Sequence, residues 1–193
     1  MKKHFKALVL NCLDEETIMK IREWRNQPFV KNMMYSQHHI TEKEHRKYIT
    51  SILEDKNRGL FVFYLDNIPF GVFQYKIYPE GNYAMGGNYL VNQEYQYMGY
   101  GAIQLYFIDI IVFNYLCCHK AYSEVLDVNK KLIAMNKQLN VPLEGVLRQH
   151  RLVNGKYHDV FCYGLLKTEW EQKLKKLEKL IYKIVDSEYE IFI

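Results

Sequence analysis

The chain has 193 residues, 49% of them hydrophobic and 25% charged. That is enough for one well-filled core, short for two, and excludes a disordered chain. Its net charge of +4 is modest, with lysines crowded between Lys167 and Lys183, so neither nucleic acid nor a membrane is expected as partner, while an anionic small ligand fits.

Residues 6–11 read as an opening strand. Residues 15–25 read as a helix capped by Asp14, with Ile18, Ile21 and Trp24 recurring at three-residue steps. Arg25-Asn26-Gln27-Pro28 stops that helix, because proline cannot extend the ladder, and residues 29–39 form a connector. Thr41-Glu42-Lys43-Glu44 has the capping-box pattern and starts a second helix through Leu53, with Tyr48, Ile49 and Ile52 facing inward. Residues 59–65 and 71–77 read as antiparallel strands joined by Asp66-Asn67-Ile68-Pro69, and a third strand follows over 83–92. A helix over 100–116, a strand over 121–128 and a helix over 130–139 come next. The hairpin 146–152 and 157–166 closes the fold around Asn154-Gly155. Beyond this domain of residues 1–168 lies an extension, 169–193, whose residues Trp170, Leu174, Leu177, Ile181 and Ile184 share one helical face. That face could pack on the domain or pair two copies of the chain as a homodimer, and residues 189–193 could add an edge strand.

The four cysteines, Cys12, Cys117, Cys118 and Cys162, lack zinc spacing and read as buried free thiols of a cytoplasmic protein, with no metal expected. The start lacks an export signal. The most apolar window, 102–118, falls short of the roughly 20 residues that span a bilayer, so it reads as a buried helix.

The chemistry concentrates in Gln96-Tyr97-Met98-Gly99-Tyr100-Gly101-Ala102, which follows a strand and opens the apolar helix. Two glycines let backbone approach a ligand closely, and the amides of a first helical turn point at an anion, so the run reads as a pyrophosphate cradle. The glycine order is wrong for a dinucleotide fingerprint, and no Gly-Lys-Ser/Thr phosphate loop is present.

This Gln-x-x-Gly-x-Gly run resembles the acetyl-CoA motif of the GNAT N-acetyltransferases, and the element order matches theirs. The resemblance implies an α/β fold with a central mixed, mostly antiparallel sheet, splayed between two parallel strands and flanked by helices. It also implies acetyl-CoA as donor. Local strings narrow it further. Arg25-Asn26, Pro28, Met34-Tyr35-Ser36, Ile40 and His45, then Glu124, Asn129, Leu143-Glu144-Gly145, Gly155-Lys156 and Asp159-Val160 resemble the N-acetyltransferases of pseudaminic-acid biosynthesis, which act on a UDP-linked 4-amino sugar.

That likeness implies that Met34, Tyr35, Tyr48 and Glu124 hold a nucleotide-linked amino sugar. A backbone amide at Leu90 or Val91, beside a strand bulge, would polarise the thioester carbonyl. Asn129 would bind the pantetheine arm, and could equally be the N-cap of the next helix. Direct attack is expected, since no Cys-His or Ser-His-Asp arrangement is legible. His45 is the first candidate base and Glu124 the second. Where many relatives carry a tyrosine thought to protonate the leaving thiolate, seven residues after the asparagine, this chain has Asn136, which cannot deliver a proton. Two other readings stand: an N-terminal protein acetyltransferase of the ribosomal type, or a CoA-binding module without turnover.

Overall fold

A computed structural model describes residues 2–192, though not the side chains of residues 173–177 and 180; the predicted apolar contacts of Leu174 and Leu177 therefore lie outside the described residues. The elements run in chain order as β1 (Lys3–Val9), α1 (Glu15–Asn26), a short α2 (Pro28–Lys31), α3 (Glu42–Leu53), β2 (Arg58–Leu65), β3 (Ile68–Tyr78), β4 (Tyr83–Leu90), α4 (Tyr100–Ile110), β5 (Lys120–Leu126), α5 (Lys130–Gln138), β6 (Leu143–Val153), β7 (Lys156–Leu166), α6 (Lys167–Ile181) and β8 (Val185–Phe192).

Local signals account for the boundaries. The Asp14 carboxylate accepts from the Thr17 amide at 2.7 Å, and Thr41 with Glu44 forms the reciprocal box at the start of α3. Asp66 and Asn67 take positive φ, as do Asn154 and Gly155, which closes both hairpins with tight two-residue turns. Pro28 opens α2 inside the expected connector; at a first helical position its missing N–H costs nothing. The apolar helix ends sooner than its composition suggests, passing at Ile111 into a π-helical turn through Tyr115.

All eight strands form one sheet in the order β6-β7-β5-β4-β3-β2-β1-β8, antiparallel except at β4·β5 and β1·β8. Alternation along the strands sorts side chains to two faces. Phe61, Phe63 and Phe73 pack with Ile103, Phe107 and Ile111 of α4 and its π turn, and with Trp170 and Ile181 of α6. Leu60, Val62 and Val72 pack on the other face with Ile21 of α1 and with Ile49 and Ile52 of α3. The tail thus lies on this sheet: α6 covers α4, and β8 runs parallel to β1, with Phe5 opposite Tyr189. Among the described residues no helix is long and apolar enough to cross a membrane. Only Cys118 and Cys162 are buried; Cys12 and Cys117 are exposed, contrary to the expectation that all four would be buried.

Candidate active site

The parallel strands β4 and β5 pair over three residues, Tyr83 to Lys120, Ala84 to Ala121 and Met85 to Tyr122, and then part. On its other edge β4 stays in one-to-one register with β3 as far as Leu90 opposite Gly71. This corrects the expected bulge: the opening arises from lost pairing with β5, and β4 itself is regular. It also separates the two amides considered for carbonyl polarisation. The Val91 amide donates to the Phe70 carbonyl at 3.0 Å, so it is spent. Because ladder bonds alternate from edge to edge, the Leu90 amide faces the gap on the β5 side. A narrow slot enters this gap from the α4 face, lined by Gly86, Asn88, Ala102, Leu105, Ser123 and Tyr163.

The glycine run stands at the mouth of that slot. Gly99 has φ +77° and caps α4, and a Cβ built on it would meet nothing within 4 Å. The first helical bonds are those from the Ala102 and Ile103 amides to the Gly99 carbonyl, so the amides of Gly99, Tyr100 and Gly101 lie ahead of the ladder. A left-handed residue, open space and unspent amides at a helix N-terminus are what a diphosphate requires, and the residues fit coenzyme A. Tyr97 and Met98 are exposed beside the loop, while Tyr100 is buried. Lys131, which the sequence reading missed, donates to Gln96 Oε1 at 2.7 Å and to the Tyr97 hydroxyl at 2.9 Å, and its ammonium lies 4.1 Å from the Tyr97 ring centre. Gly101 backs onto Met135 of α5, so the two helices approach closely. Asn129 caps α5, its Oδ1 accepting from the Leu132 amide at 3.3 Å, which leaves its amide hydrogens for a ligand.

The opposite face of the sheet carries a groove of about 470 Å³, whose walls include Met33, Met34, Tyr35, Tyr48, Arg58 and Glu124. Glu124 lies on β5. Its carboxylate accepts from the Tyr35 hydroxyl at 2.6 Å and the Tyr122 hydroxyl at 3.3 Å, and Arg151 stands 4.0 Å away with its guanidinium over the Tyr35 ring. Burial and the bond to Glu124 hold the Tyr35 hydroxyl far above its ordinary pKa, so it remains a donor. Nothing in the local sequence marked Tyr122 or Arg151; the register of β5, β6 and β7 brings them together.

Tyr48 donates to Gln74 and is shared with an adjoining cavity that Arg25, His38, Glu44, His45 and Tyr89 also line. His45 is 3% exposed, and its Nε2 lies 2.7 Å from the Ile18 carbonyl. A carbonyl only accepts, so Nε2 carries the hydrogen and Nδ1 is the one nitrogen that can take a proton. Burial lowers the His45 pKa against the raising effect of the Ile18 bond, which keeps the ring neutral near pH 7. Arg25 Nη2 donates to the Ser36 carbonyl at 2.9 Å, whereas its Nη1 is buried without a partner.

Asn136 is 4% exposed on α5. His45 therefore lines the side cavity and Glu124 the groove on the opposite face, while Asn136 is buried on α5 and lines neither.

A model of the acetyltransferase (GNAT) family matches residues 18–140. No curated protein matches significantly. Among solved structures, spermidine N-acetyltransferase from Vibrio cholerae, in complex with CoA and spermine, superposes with a TM-score of 0.78 at 18% identity, covering 87% of this chain and 98% of that one. A candidate acetyltransferase from T. thermophilus gives 0.73 at 19% identity over 94% and 98%. With the family match spanning the splayed strands and the glycine run, the chain belongs to the GNAT acetyltransferases, enzymes that use acetyl-CoA to acetylate an amine.

Proposed function

We propose that the acceptor is an amino group on a nucleotide-linked sugar, of the 4-amino type used by the pseudaminic-acid enzymes. Arg25 carries this reading. Its guanidinium is largely withdrawn from water, burial lowers its pKa, and among the described residues no carboxylate forms an ion pair with it. Glu44, the carboxylate in the same cavity, is taken up by Thr41 and by His38 at 3.3 Å. A half-buried cation without a counter-charge repels a polyamine and favours an anionic ligand. Arg58 and Lys76, cross-strand partners in the adjoining groove, add positive charge within reach of a diphosphate. Tyr35, Tyr48, Met33 and Met34 offer the flat, adaptable apolar surface that suits a base or sugar ring.

On this reading Glu124 receives the amine. Two tyrosine hydroxyls fix its carboxylate, and its remaining lone pairs can accept from the nitrogen and relay a proton to water. The Leu90 amide would polarise the carbonyl, the amides from Gly99 to Gly101 would hold the diphosphate of the donor, and the chemistry the donor supplies is an activated thioester. A polyamine is the second reading, since the Vibrio cholerae structure contains spermine and a carboxylate suits any ammonium.

Thiol release from acetyl-CoA, measured with a UDP-4-amino-4,6-dideoxy sugar, spermidine and an N-terminal peptide, separates these readings. The sugar nucleotide is expected to lead by about 100-fold in kcat/KM. Higher activity with spermidine or the peptide overturns the assignment.

A further inference from the structure

Glu124 has a third neighbour besides its two tyrosines. Its Oε2 accepts from the Tyr35 hydroxyl at 2.6 Å and its Oε1 from the Tyr122 hydroxyl at 3.3 Å. Arg151 of β6 stands with its Nη2 4.0 Å from Oε2, too far for a hydrogen bond and close enough to act as a charge. Its guanidinium lies 4.3 Å from the Tyr35 ring centre. The hairpin holds it there. β6 takes four residues from Leu147 to Arg151 where β7 takes two from Val160 to His158, an insertion that bends the strand and re-aims its side chains. Gln149, at φ +49°, is anchored within it by its amide on Asp159 Oδ1 at 2.8 Å. Beyond it Asn154 donates to Gln37 Oε1 at 2.7 Å, and Gln37 donates to the carbonyls of Asn32 and Met34, beside Tyr35. Among the described residues Glu124 is the carboxylate paired with Arg151, while Asp127, just beyond β5, is taken by His158 at 2.7 Å.

We propose that Arg151 is a specificity-determining residue of the acceptor groove: by balancing the charge of Glu124 it weakens the hold on polycations and favours a single amine in its free-base form. The inference rests on the reading of Glu124 as the group that receives the amine. A carboxylate alone draws in every ammonium of a polyamine, whereas a carboxylate and a guanidinium 4.0 Å apart present no net charge. A like charge beside a bound ammonium also lowers its pKa, here by about one unit, so more of the amine is nucleophilic near neutral pH. The other titratable groups about that carboxylate are Tyr35, Tyr122 and Cys162, its partner across β7; Asp55, Arg58 and Lys76 line the rest of the groove.

Calorimetry with spermine on the whole chain tests the charge balance without turnover. Arg151→Met is expected to lower the Kd about tenfold and Arg151→Lys to leave it within about twofold; adding Glu124→Gln to Arg151→Met should restore the parent value. With the acceptor that releases thiol fastest, the acid limb of the kcat profile should move up by about one pH unit in Arg151→Met and stay in place in Arg151→Lys, a pattern that a merely structural role would not produce. A spermine Kd unchanged in Arg151→Met, a gain that persists in the double variant, or a limb that does not move overturns the role of Arg151. Loss of turnover in Glu124→Gln beside an unmoved limb refutes Arg151 alone and keeps Glu124 as the receiver of the amine. Full turnover in Glu124→Gln refutes that reading, and the inference with it.

Discussion

Replacing Gly99 with alanine separates the conformational cost of the loop from its ligand contacts, because two other glycines provide matched controls. A Cβ at Gly99, Gly155 or Gly145 would meet nothing within 4 Å, so none of the three changes creates a clash. Gly99 and Gly155 have φ of +77° and +79°, whereas Gly145 is not in the left-handed region. An L-residue held there costs about 1–2 kcal/mol, so Gly99→Ala and Gly155→Ala should each lose that much stability. At this chain length the loss corresponds to a Tm lower by roughly 2–8 °C. Gly145→Ala should stay within about 0.5 kcal/mol of the parent. Ligand binding divides the first two. If the loop relieves its strain by leaving the left-handed region, the amides of Gly99 and Tyr100 turn away from the diphosphate, and the Kd for coenzyme A should rise more than tenfold. Gly155, in the β6–β7 turn, should leave that constant unchanged. Differential scanning calorimetry and isothermal titration read both quantities on the same samples. A Gly99→Ala protein that is destabilised like Gly155→Ala yet binds coenzyme A normally would refute the reasoning, because the amides would then not be the grip.

Arg25→Met removes a half-buried cation but keeps the stem that packs beside it; the lost bond to the Ser36 carbonyl and the relieved desolvation should offset within about 1 kcal/mol. The KM for the sugar nucleotide should nevertheless rise at least tenfold, and an unchanged KM would remove Arg25 from the acceptor site. For His45 the folded-state pKa lies below the ordinary value, so the unfolded chain binds more protons in that range. Its contribution to stability is present above about pH 6.5 and is lost as pH falls through the folded pKa. Urea unfolding at pH 8 and pH 5 should therefore show a larger acid loss in the parent than in His45→Gln; equal losses would mean that the ring is not buried neutral.

How much of this was legible in the sequence depends on whether the signal is local. Asp14, the Thr41 to Glu44 box and Asn154-Gly155 satisfy backbone groups within four residues, so their elements could be read directly. The four-residue α2 is too short to show a period, and the run through Ile111 and Phe113 is apolar on all sides, which hides the π turn. Pairing of β8 with β1 joins residues far apart in the chain; its alternating charges, Asp186, Glu188 and Glu190, signal a strand and carry no word of its partner. The site divides in the same way. The run from Gln96 to Ala102 is contiguous, so its helix-opening glycine could be read directly. Lys131, Tyr122 and Arg151 are single residues on three elements that only the tertiary fold gathers. Asn136 was recognised as a departure from the family's pattern, but its burial on α5 becomes visible only in the fold.

On the proposed reading strand β4 separates the two substrates, and its Gly86-Gly87 pair puts that reading to a test. Glycine weakens a strand interior, so two in succession mark a place where something else must come close. Alternation points them to opposite faces. A Cβ on Gly86 would run into the Phe73 ring, which lines the donor slot, whereas one on Gly87 would touch Gln74 at 3.4 Å, on the acceptor side. Gly86→Ala must displace a packed aromatic, which costs about 1–3 kcal/mol and should weaken coenzyme A binding. Gly87→Ala makes only an ordinary contact, so the fold should keep its stability and its donor affinity while the KM for the acceptor rises. Calorimetry with coenzyme A and steady-state kinetics with the acceptor give the two readouts. If both substitutions weaken the same ligand, β4 does not separate two half-sites, and the assignment of donor and acceptor to opposite faces of the sheet fails with it.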